Sequence, residues 1–524
     1  MATPNEKLAA SLSVLRELQP GGRRVFRSRE FSRVHRERLL LNGFVQEVMN
    51  GWLISSSPGA RDGDSTPWYA SFWEFCARYC GERFGNQWCL SPEQSILLHA
   101  ENTVVPSQVV VQSPNGANHK LPLPFGTSLF DLKQPRMPQP PDVAVRDGLR
   151  LFTPEAALVR LSESFITANP IETQVVLANI SDPADLLRQL LDGGRSAIAG
   201  RLAGALRRIG RPAAAAEIVT TMKAAGYDVR ETDPLAGQPA LAPITAAAAP
   251  LVGRMRAMWE SMREKVLRVF PPPPGLPMDA GAYLQAIEEI YRSDAYHSLS
   301  IEGYRVSSEL VERVRAGGWD PDNREADRQS RDALAARGYW QAFQAVKRNI
   351  AAIIAGGNPG RIARAAHREW YRELFQPCAA AGLIAPLALA GYRNDAVYLR
   401  TSRYVPPRWE AVREAMPELF DLLENEPQPG VRAVLGHWLF GYVHPYPDGN
   451  GRLARFLMNA MLASGGYPWT VIRVEDRAAY LSALDRASLH MDIGPFAQFT
   501  AERVKPSIFS SKDEPENRQG GRRK

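Results

Sequence analysis

The chain has 524 residues, of which 45% are hydrophobic and 23% charged, and a formal net charge of +7. That length exceeds a single compact core and calls for about three or four units, and the balance excludes a fibre or a disordered chain. No apolar run approaches the ~18–20 residues of a membrane span, and the N-terminus lacks a basic segment followed by an apolar one, so the expected location is the cytoplasm. The four cysteines fit that setting: the spacing of Cys76, Cys80 and Cys89 matches neither a zinc knuckle nor a redox pair, Cys378 stands alone, and all read as reduced packing residues.

Residues 1–60 read as one small unit. Apolar positions from Leu8 to Leu18 recur at helical spacing, and Ser32 is placed to cap a helix that stops at Asn42-Gly43. The alternating runs on either side of Asn50-Gly51 predict a hairpin, because a type I′ turn needs positive φ at both central residues. Nine Lys/Arg stand against five Glu here, seven of the arginines between Arg23 and Arg38, a local cluster able to neutralise phosphates. Helix, helix, basic helix, hairpin is the order of a winged helix-turn-helix, whose second helix enters the major groove. Arg33, Arg36 and Arg38 are the candidate contacts to double-stranded DNA; a protein-docking winged helix with a solvated basic face is the alternative.

Residues 61–232 start as mixed strands and loops, with "QVVVQS" a β-branched strand and "PRMPQPPDV" a proline-rich connection, and turn helical and Ala/Leu-rich from residue 153. Residues 233–250, "DPLAGQPALAPITAAAAP", carry almost no charge and no amphipathic period and read as the main linker. From 251 to 505 the chain is mostly amphipathic helix, interrupted by the hairpin-like "GYRNDAVYLRTSRYVPP". Residues 506–524 are a polar tail of disordered composition.

The chemistry concentrates in "VHPYPDGNGRLARFLMN", residues 443–459. Pro445 and Pro447 break the chain, and after Gly449-Asn450-Gly451 it resumes as a helix. Glycines at a helix start let backbone N–H groups form an anion nest, to which the helix dipole adds. Arg452 and Arg455, three apart, share a face turned back to that nest. Asp448 at its edge can hold a Mg²⁺ that also bridges phosphates, and His444 lies within reach as a general base. Singly these would be a turn, a solvated face and a core histidine; all in twelve residues point to a polyphosphate site.

"HPYPDGNGRLAR" resembles the signature of the Fic (Fido) family, H-x-F-x-[DE]-G-N-G-R-x-x-R, with Tyr446 where the family usually has Phe. The resemblance covers residues 280–505. It implies a mainly α fold: an all-helical core with a β-hairpin flap at 390–407 that holds the target by strand pairing, here preceded by a winged helix and an α+β middle region. It implies a protein adenylyltransferase, which moves the AMP part of ATP to a Ser, Thr or Tyr hydroxyl of a target protein or of itself. His444 would take the hydroxyl proton, Asp448 would hold Mg²⁺ or Mn²⁺, Gly449, Asn450, Gly451 and Arg452 would bind the α- and β-phosphates, Arg455 the γ-phosphate, and Tyr480, in "VEDRAAYLSAL", the adenine side.

Upstream, "SLSIEG" closes an amphipathic run with Ser298, Glu302 and Gly303. By itself it is a helix-end Glu with a glycine cap. Beside such a core it resembles the family's inhibitory motif, [ST]-x-x-x-E-[GN], in which the Glu would pair with Arg455 and occupy the γ-phosphate's ligand. Residues 1–60, with "LLDGGRSAIAGRLAGALRRIGR", resemble the N-terminal region of AbiEi-type antitoxins, which implies a toxin–antitoxin-like fusion that represses its own operon. A homodimer is a further expectation. The competing functional class is a DNA-binding regulator whose Fic domain senses nucleotide, and UMP transfer or AMP removal are the enzymatic alternatives.

Overall fold

The computed structural model describes residues 3–58, 63–237, 249–318 and 330–510, the last five by backbone alone. Most of the expected linker, residues 238–248, lies outside the described residues. The chain divides into two compact units, Met1–Ala257 with Tyr398–Pro406, and Met258–Val397 with Pro407–Lys524.

The first unit opens with α1 (Pro4–Glu17), β1 (Val25–Arg27), α2 (Arg33–Leu41), β2 (Val45–Met49) and β3 (Trp52–Ser55). Thr3 and Glu6 form a capping box on α1, and the Ser32 hydroxyl accepts from His35 N at the head of α2. The strands form an antiparallel sheet in the order β1-β3-β2, with Gly51 at φ 81° in the hairpin turn. Both faces are covered, because side chains alternate along a strand. Phe26 and Leu53, opposite each other, sit with Leu15 and Leu39; Val25 and Ile54, also opposite, join Trp52 and Phe75 in a second cluster. One expectation needs correction: the middle helix is a single 3₁₀ turn, Ser28–Glu30. The preceding residues leave helix for strand because Val25 and Phe26 gain full burial against β3.

Next come α3 (Thr66–Phe84), β4 (Cys89–Leu90), α4 (Pro92–His99), β5 (Val109–Ser113), β6 (His119–Pro122), β7 (Ser128–Lys133), β8 (Val143–Arg146) and β9 (Leu149–Phe152). One sheet runs β4-β5-β7-β6, with β5 and β7 parallel, and β8-β9 form a separate pair. Helices α5 (Pro154–Leu158), α6 (Glu163–Ala168), α7 (Pro170–Asn179), α8 (Pro183–Asp192), α9 (Ser196–Arg208) and α10 (Pro212–Ala224) follow. Buried Glu172 of α7 accepts from Arg254 at 2.7 Å and from Asn102 at 2.8 Å, which satisfies a carboxylate that burial alone would neutralise.

Residues 398–406 belong to this unit. Arg403 O accepts from Val105 N at 2.8 Å, the Arg24 guanidinium lies 4.9 Å over the Tyr398 ring, Val405 packs on the larger cluster, and Tyr404 is buried. The stretch 390–407 does not form the expected β-hairpin: it is irregular, with a turn at Arg400-Thr401 and no strand pairing of its own. Pro406 and Pro407 have no N–H to give a ladder, and Thr401 takes φ 62°.

The second unit is helical: α11 (Pro250–Val269), within which the division falls, α12 (Ala280–Ile301), α13 (Ser308–Arg315), α14 (Arg331–Ile354), α15 (Pro359–Ala380), α16 (Trp409–Asn425), α17 (Pro429–Val443), α18 (Asn450–Ala463), α19 (Arg477–His490) and α20 (Gly494–Ser510). The backbone of α20 runs into the expected disordered tail, and residues 511–524 lie outside the described residues. Among residues 429–443 only Gly441 escapes full burial, as the all-round apolar sequence of α17 requires. It packs with α18, and the loop between these two buried helices carries the signature. All four cysteines are free thiols, three of them buried, and burial pushes Cys89 up to about 12.

Candidate active site

His444 ends α17 in the left-handed conformation, φ 50° and ψ 60°, a backbone state that costs a non-glycine residue about 1 kcal/mol or more and has to be held. Buried Arg393 holds it: Nε donates to His444 O at 2.8 Å, Nη2 to Val443 O at 3.4 Å and to Pro407 O, and the Arg393 N–H to Pro445 O at 2.9 Å. The imidazole Nδ1 lies 3.3 Å from Gly441 O, a partner that fits the tautomer with the proton on Nδ1 and leaves Nε2 as acceptor. Burial lowers its pKa to about 4, so the ring is a neutral base at pH 7.

The loop is braced from within. Asn450 accepts from Tyr446 N at 2.9 Å and donates to Tyr446 O at 2.7 Å. Its side chain therefore shapes the loop, which leaves only its backbone N–H for the phosphate role expected of it. Tyr446 is fully buried, stacked on Tyr371 with centroids 4.0 Å apart, and its hydroxyl has no partner among the described residues. Gly449 caps α18 at φ 80°, and a Cβ there would lie 2.7 Å from the Phe375 ring. No side chain caps α18, so the first N–H groups, those of Asn450, Gly451 and Arg452, keep their donor capacity and their dipole for an anion.

Arg452 is buried between the rings of Tyr304 and Phe375, at 5.2 and 5.0 Å, and its Nε and Nη2 have no hydrogen-bond partner among the described residues. Asp448 Oδ2 is 3.6 Å away. Arg455, also buried, gives Nε to Ser298 Oγ at 2.8 Å and Nη2 to Ser298 O at 3.0 Å and Glu302 Oε1 at 2.7 Å, while Nη1 has no hydrogen-bond partner among the described residues. A Cβ on Gly451 would collide with Glu302 Oε1, so only glycine admits the carboxylate so close to α18.

Ser298 and Glu302 sit at the end of α12, which closes in a Schellman motif: Gly303 at φ 87° donates to Ser300 O, and Tyr304 N to Leu299 O. Burial raises the Glu302 pKa, but the Arg455 and Arg452 charges outweigh it and hold the carboxyl below its usual range. Asp294 lies one turn before Ser298 on the same face, and Tyr339 OH donates to its Oδ2 at 2.6 Å. Burial pushes Asp294 up to about 6. Arg477 Nε donates to Ile301 O at 2.8 Å and pins the end of α12.

The structure thus brings His444, Asp448, Gly449, Asn450, Gly451, Arg452, Arg455, Ser298, Glu302 and Gly303 together. Tyr480 is buried beside Arg455, its hydroxyl is 2.9 Å from His437 Nε2, and its ring packs against Phe496 and Phe499. Of the DNA candidates, Arg33 is exposed and paired with Glu37 at 2.7 Å, Arg36 is half-buried, and Arg38 is spent on α1, donating to Lys7 O at 2.7 Å and Ser11 Oγ at 2.9 Å. Arg393, Asp294, Tyr339 and the rings around Arg452 were not foreseen. Asp294 had a signal, a lone acid four residues before Ser298 on an apolar helix face.

A cation would find one carboxylate here. Asp448 has a 62% exposed side chain and accepts from Gly449 N at 2.6 Å, and no group of three or more metal-ligating side chains occurs among the described residues. That donor set fits Mg²⁺, which takes one or two carboxylates and fills its octahedron with water and phosphate oxygens.

A neutral half-buried base, an uncapped helix start and inward-turned arginines lie together in this helical core, and residues 361–462 match the Fic/DOC family, so the chain carries a domain of that family. Relatives include a protein adenylyltransferase Fic of Nematostella vectensis, 40% identical over 127 residues, which are 24% of this chain and 29% of the relative. A protein adenylyltransferase fic-1 of Caenorhabditis elegans is 35% identical over 127 residues, 24% of each chain. The chain therefore spans 24–29% of the length of these curated relatives. A solved Fic-1 fragment from C. elegans, 20% identical, covers 66% of this chain and 99% of its own at a TM-score of 0.36.

Proposed function

We propose that the chain transfers AMP from ATP to a Ser, Thr or Tyr hydroxyl of a protein, its own included, and that Glu302 restrains the reaction. The observation that supports this most is the set of buried guanidinium nitrogens without a hydrogen-bond partner among the described residues, Nε and Nη2 of Arg452 and Nη1 of Arg455, beside the uncapped start of α18. Buried unsatisfied donors cost about 1–3 kcal/mol each, and phosphate oxygens are the ligands that would satisfy them. The backbone N–H groups of residues 450–452 and Arg452 take the α- and β-phosphates; Arg455 takes the γ-phosphate once Glu302 leaves it. The target hydroxyl oxygen bonds to the α-phosphorus, the bond from that phosphorus to the bridging oxygen breaks, pyrophosphate leaves, and the hydroxyl proton passes to His444. Mg²⁺ on Asp448 would neutralise phosphate charge. Positioning and charge complementarity of this kind suffice for phosphoryl-type transfer.

Intact-mass measurement after incubation with ATP and Mg²⁺ tests the reading on the parent, Glu302→Gly and Glu302→Gly/His444→Ala. The expected result is a gain of one AMP in Glu302→Gly alone. A gain only with UTP would make it a UMP transferase, loss of AMP from a pre-modified protein an AMP-removing enzyme, and nucleotide binding without covalent change a sensor.

The order α1, β1, α2, β2, β3 with sheet order β1-β3-β2 favours a winged helix for residues 1–60, as in AbiEi-type antitoxins. In this reading Arg33 and Arg36 meet DNA phosphates and the protein represses its own operon in the cytoplasm. Binding to its operon's promoter DNA should fall steeply with salt; a flat response removes the claim.

A further inference from the structure

The second unit has a cavity of about 1000 Å³ apart from the phosphate-binding groups. Neither Arg452 nor Arg455 lines it, whereas Pro447 of the loop and Arg393, the residue that holds His444, both do. The hollow therefore borders the base-bearing loop without being the nucleotide's place. Its charged lining is four arginines and one acid, Asp395. Two arginines are committed: Arg393 to the loop carbonyls, and Arg364 to Glu424 at 2.8 Å and to Asp421. The other two are not. Arg368 lies 4.9 Å over the Tyr392 ring, and Arg413 donates to the neutral amide oxygen of Asn394 at 2.7 Å. Neither has a carboxylate within ion-pair distance among the described residues. Tyr392 is itself fixed by a 2.7 Å bond to buried His367. Two guanidinium groups of the cavity lining are thus held by a ring and an amide, and Asp395, the one acid lining it with them, is not within ion-pair distance of either. Such an arrangement is preorganised for carboxylates, which guanidinium binds in bidentate fashion.

We propose that this cavity docks an acidic segment of the protein substrate, seating Asp or Glu side chains between Arg368 and Arg413 while the neighbouring hydroxyl reaches His444. The role as a substrate subsite rests on the transferase reading; the binding of acidic chain does not. Fluorescence anisotropy on the full chain, with a labelled peptide of alternating Asp and Glu around one Thr, tests it. The acidic peptide is expected to bind, its lysine counterpart not. Arg368→Glu/Arg413→Glu should weaken binding at least ~10-fold, about 1.4 kcal/mol, and Arg368→Gln/Arg413→Gln by less. Arg348→Glu/Arg486→Glu, the same charge change outside the cavity lining, should leave it within about twofold. Equal loss in the two Glu pairs, binding of both peptides, or displacement by an equal concentration of inorganic phosphate would overturn the proposal. Mass analysis of the peptide with Glu302→Gly and ATP separates the two readings. Acidic binding without transfer to the peptide or to the chain itself refutes the transferase and keeps only the cavity's binding of acidic chain, while self-modification without preference for the acidic peptide refutes the subsite and keeps the transferase.

Discussion

Replacing Glu302 by glycine removes one carboxylate from a site where it faces two buried arginines. The contact at stake is the 2.7 Å bond from Arg455 Nη2 to Glu302 Oε1, between side chains 4% and 30% exposed. Breaking a fully buried pair costs about 3–5 kcal/mol. Here Glu302 is partly in water and Arg455 keeps both bonds to Ser298, so about 1–2 kcal/mol is the working figure. The same quantity governs release: ATP must displace the carboxylate to bind its γ-phosphate, and about 1–2 kcal/mol of competition corresponds to about 5- to 30-fold. Two opposite changes are therefore expected from one substitution. AMP incorporation, followed by intact mass and by labelled ATP, should rise about 5- to 30-fold over the parent, while the melting temperature falls by a few degrees at about 2–4 °C per kcal/mol. Glu302→Gln, which keeps shape and loses charge, should lie between. Equal incorporation by parent and Glu302→Gly would refute the argument, and so would a rise that persists in Glu302→Gly/His444→Ala.

Three more outcomes follow from the same surroundings. Asp294, raised from 3.8 to about 6 by burial, binds its proton more tightly folded than unfolded, so its contribution to stability is whole below about pH 4 and is lost as pH rises through 6. Asp294→Asn should therefore melt several degrees above the parent at pH 7.5, for up to about 3 kcal/mol, and match it near pH 4; a constant difference would refute the assignment. His444 is depressed to about 4, so the stability from its neutral form is present above about 6.5 and fades as pH falls toward 4. A histidine-labelled NMR titration, with the signal identified by its loss in His444→Ala, should show a midpoint near 4, and one near 6.5 would remove the neutral-base argument. Tyr446→Phe deletes a buried hydroxyl without a partner and should raise the melting temperature, by about 1 kcal/mol in stability, with AMP transfer unchanged; a lower melting temperature would mean that the hydroxyl is satisfied.

What was legible in advance followed local chemistry. Ser32 and Asn42-Gly43 bounded α2 because caps and left-handed glycines act within one turn, and Asn50-Gly51 placed the hairpin for the same reason. His444 to Arg455 could be read as a site because every group needed lies on one loop and one helix turn. The misreadings have non-local causes. β1 was missed because Val25 and Phe26 are strand only by virtue of Ile54 and Leu53. The flap hairpin failed because residues 398–406 find their backbone and side-chain partners more than 290 positions earlier, at Val105 and Arg24. Arg393 looked like one arginine in a loop; its role depends on carbonyls fifty residues away. Arg38 was assigned by segment, and its contacts with Lys7 and Ser11 turned it inward.

The nine residues from Tyr398 to Pro406 tie the order of synthesis to the finished molecule. A ribosome delivers residues 1–257 first, and they can form a core before the rest emerges. That core then waits, with the place for Val405 and the Val105 N–H unfilled, for a stretch some three hundred residues downstream. A fragment begun at residue 258 would carry Tyr404 and Val405 with nothing of their native cluster to cover them, so it should aggregate more readily than the whole chain. Co-expressing residues 1–257 with such a fragment is the natural rescue, since the missing strip of core is supplied in trans by its own partner.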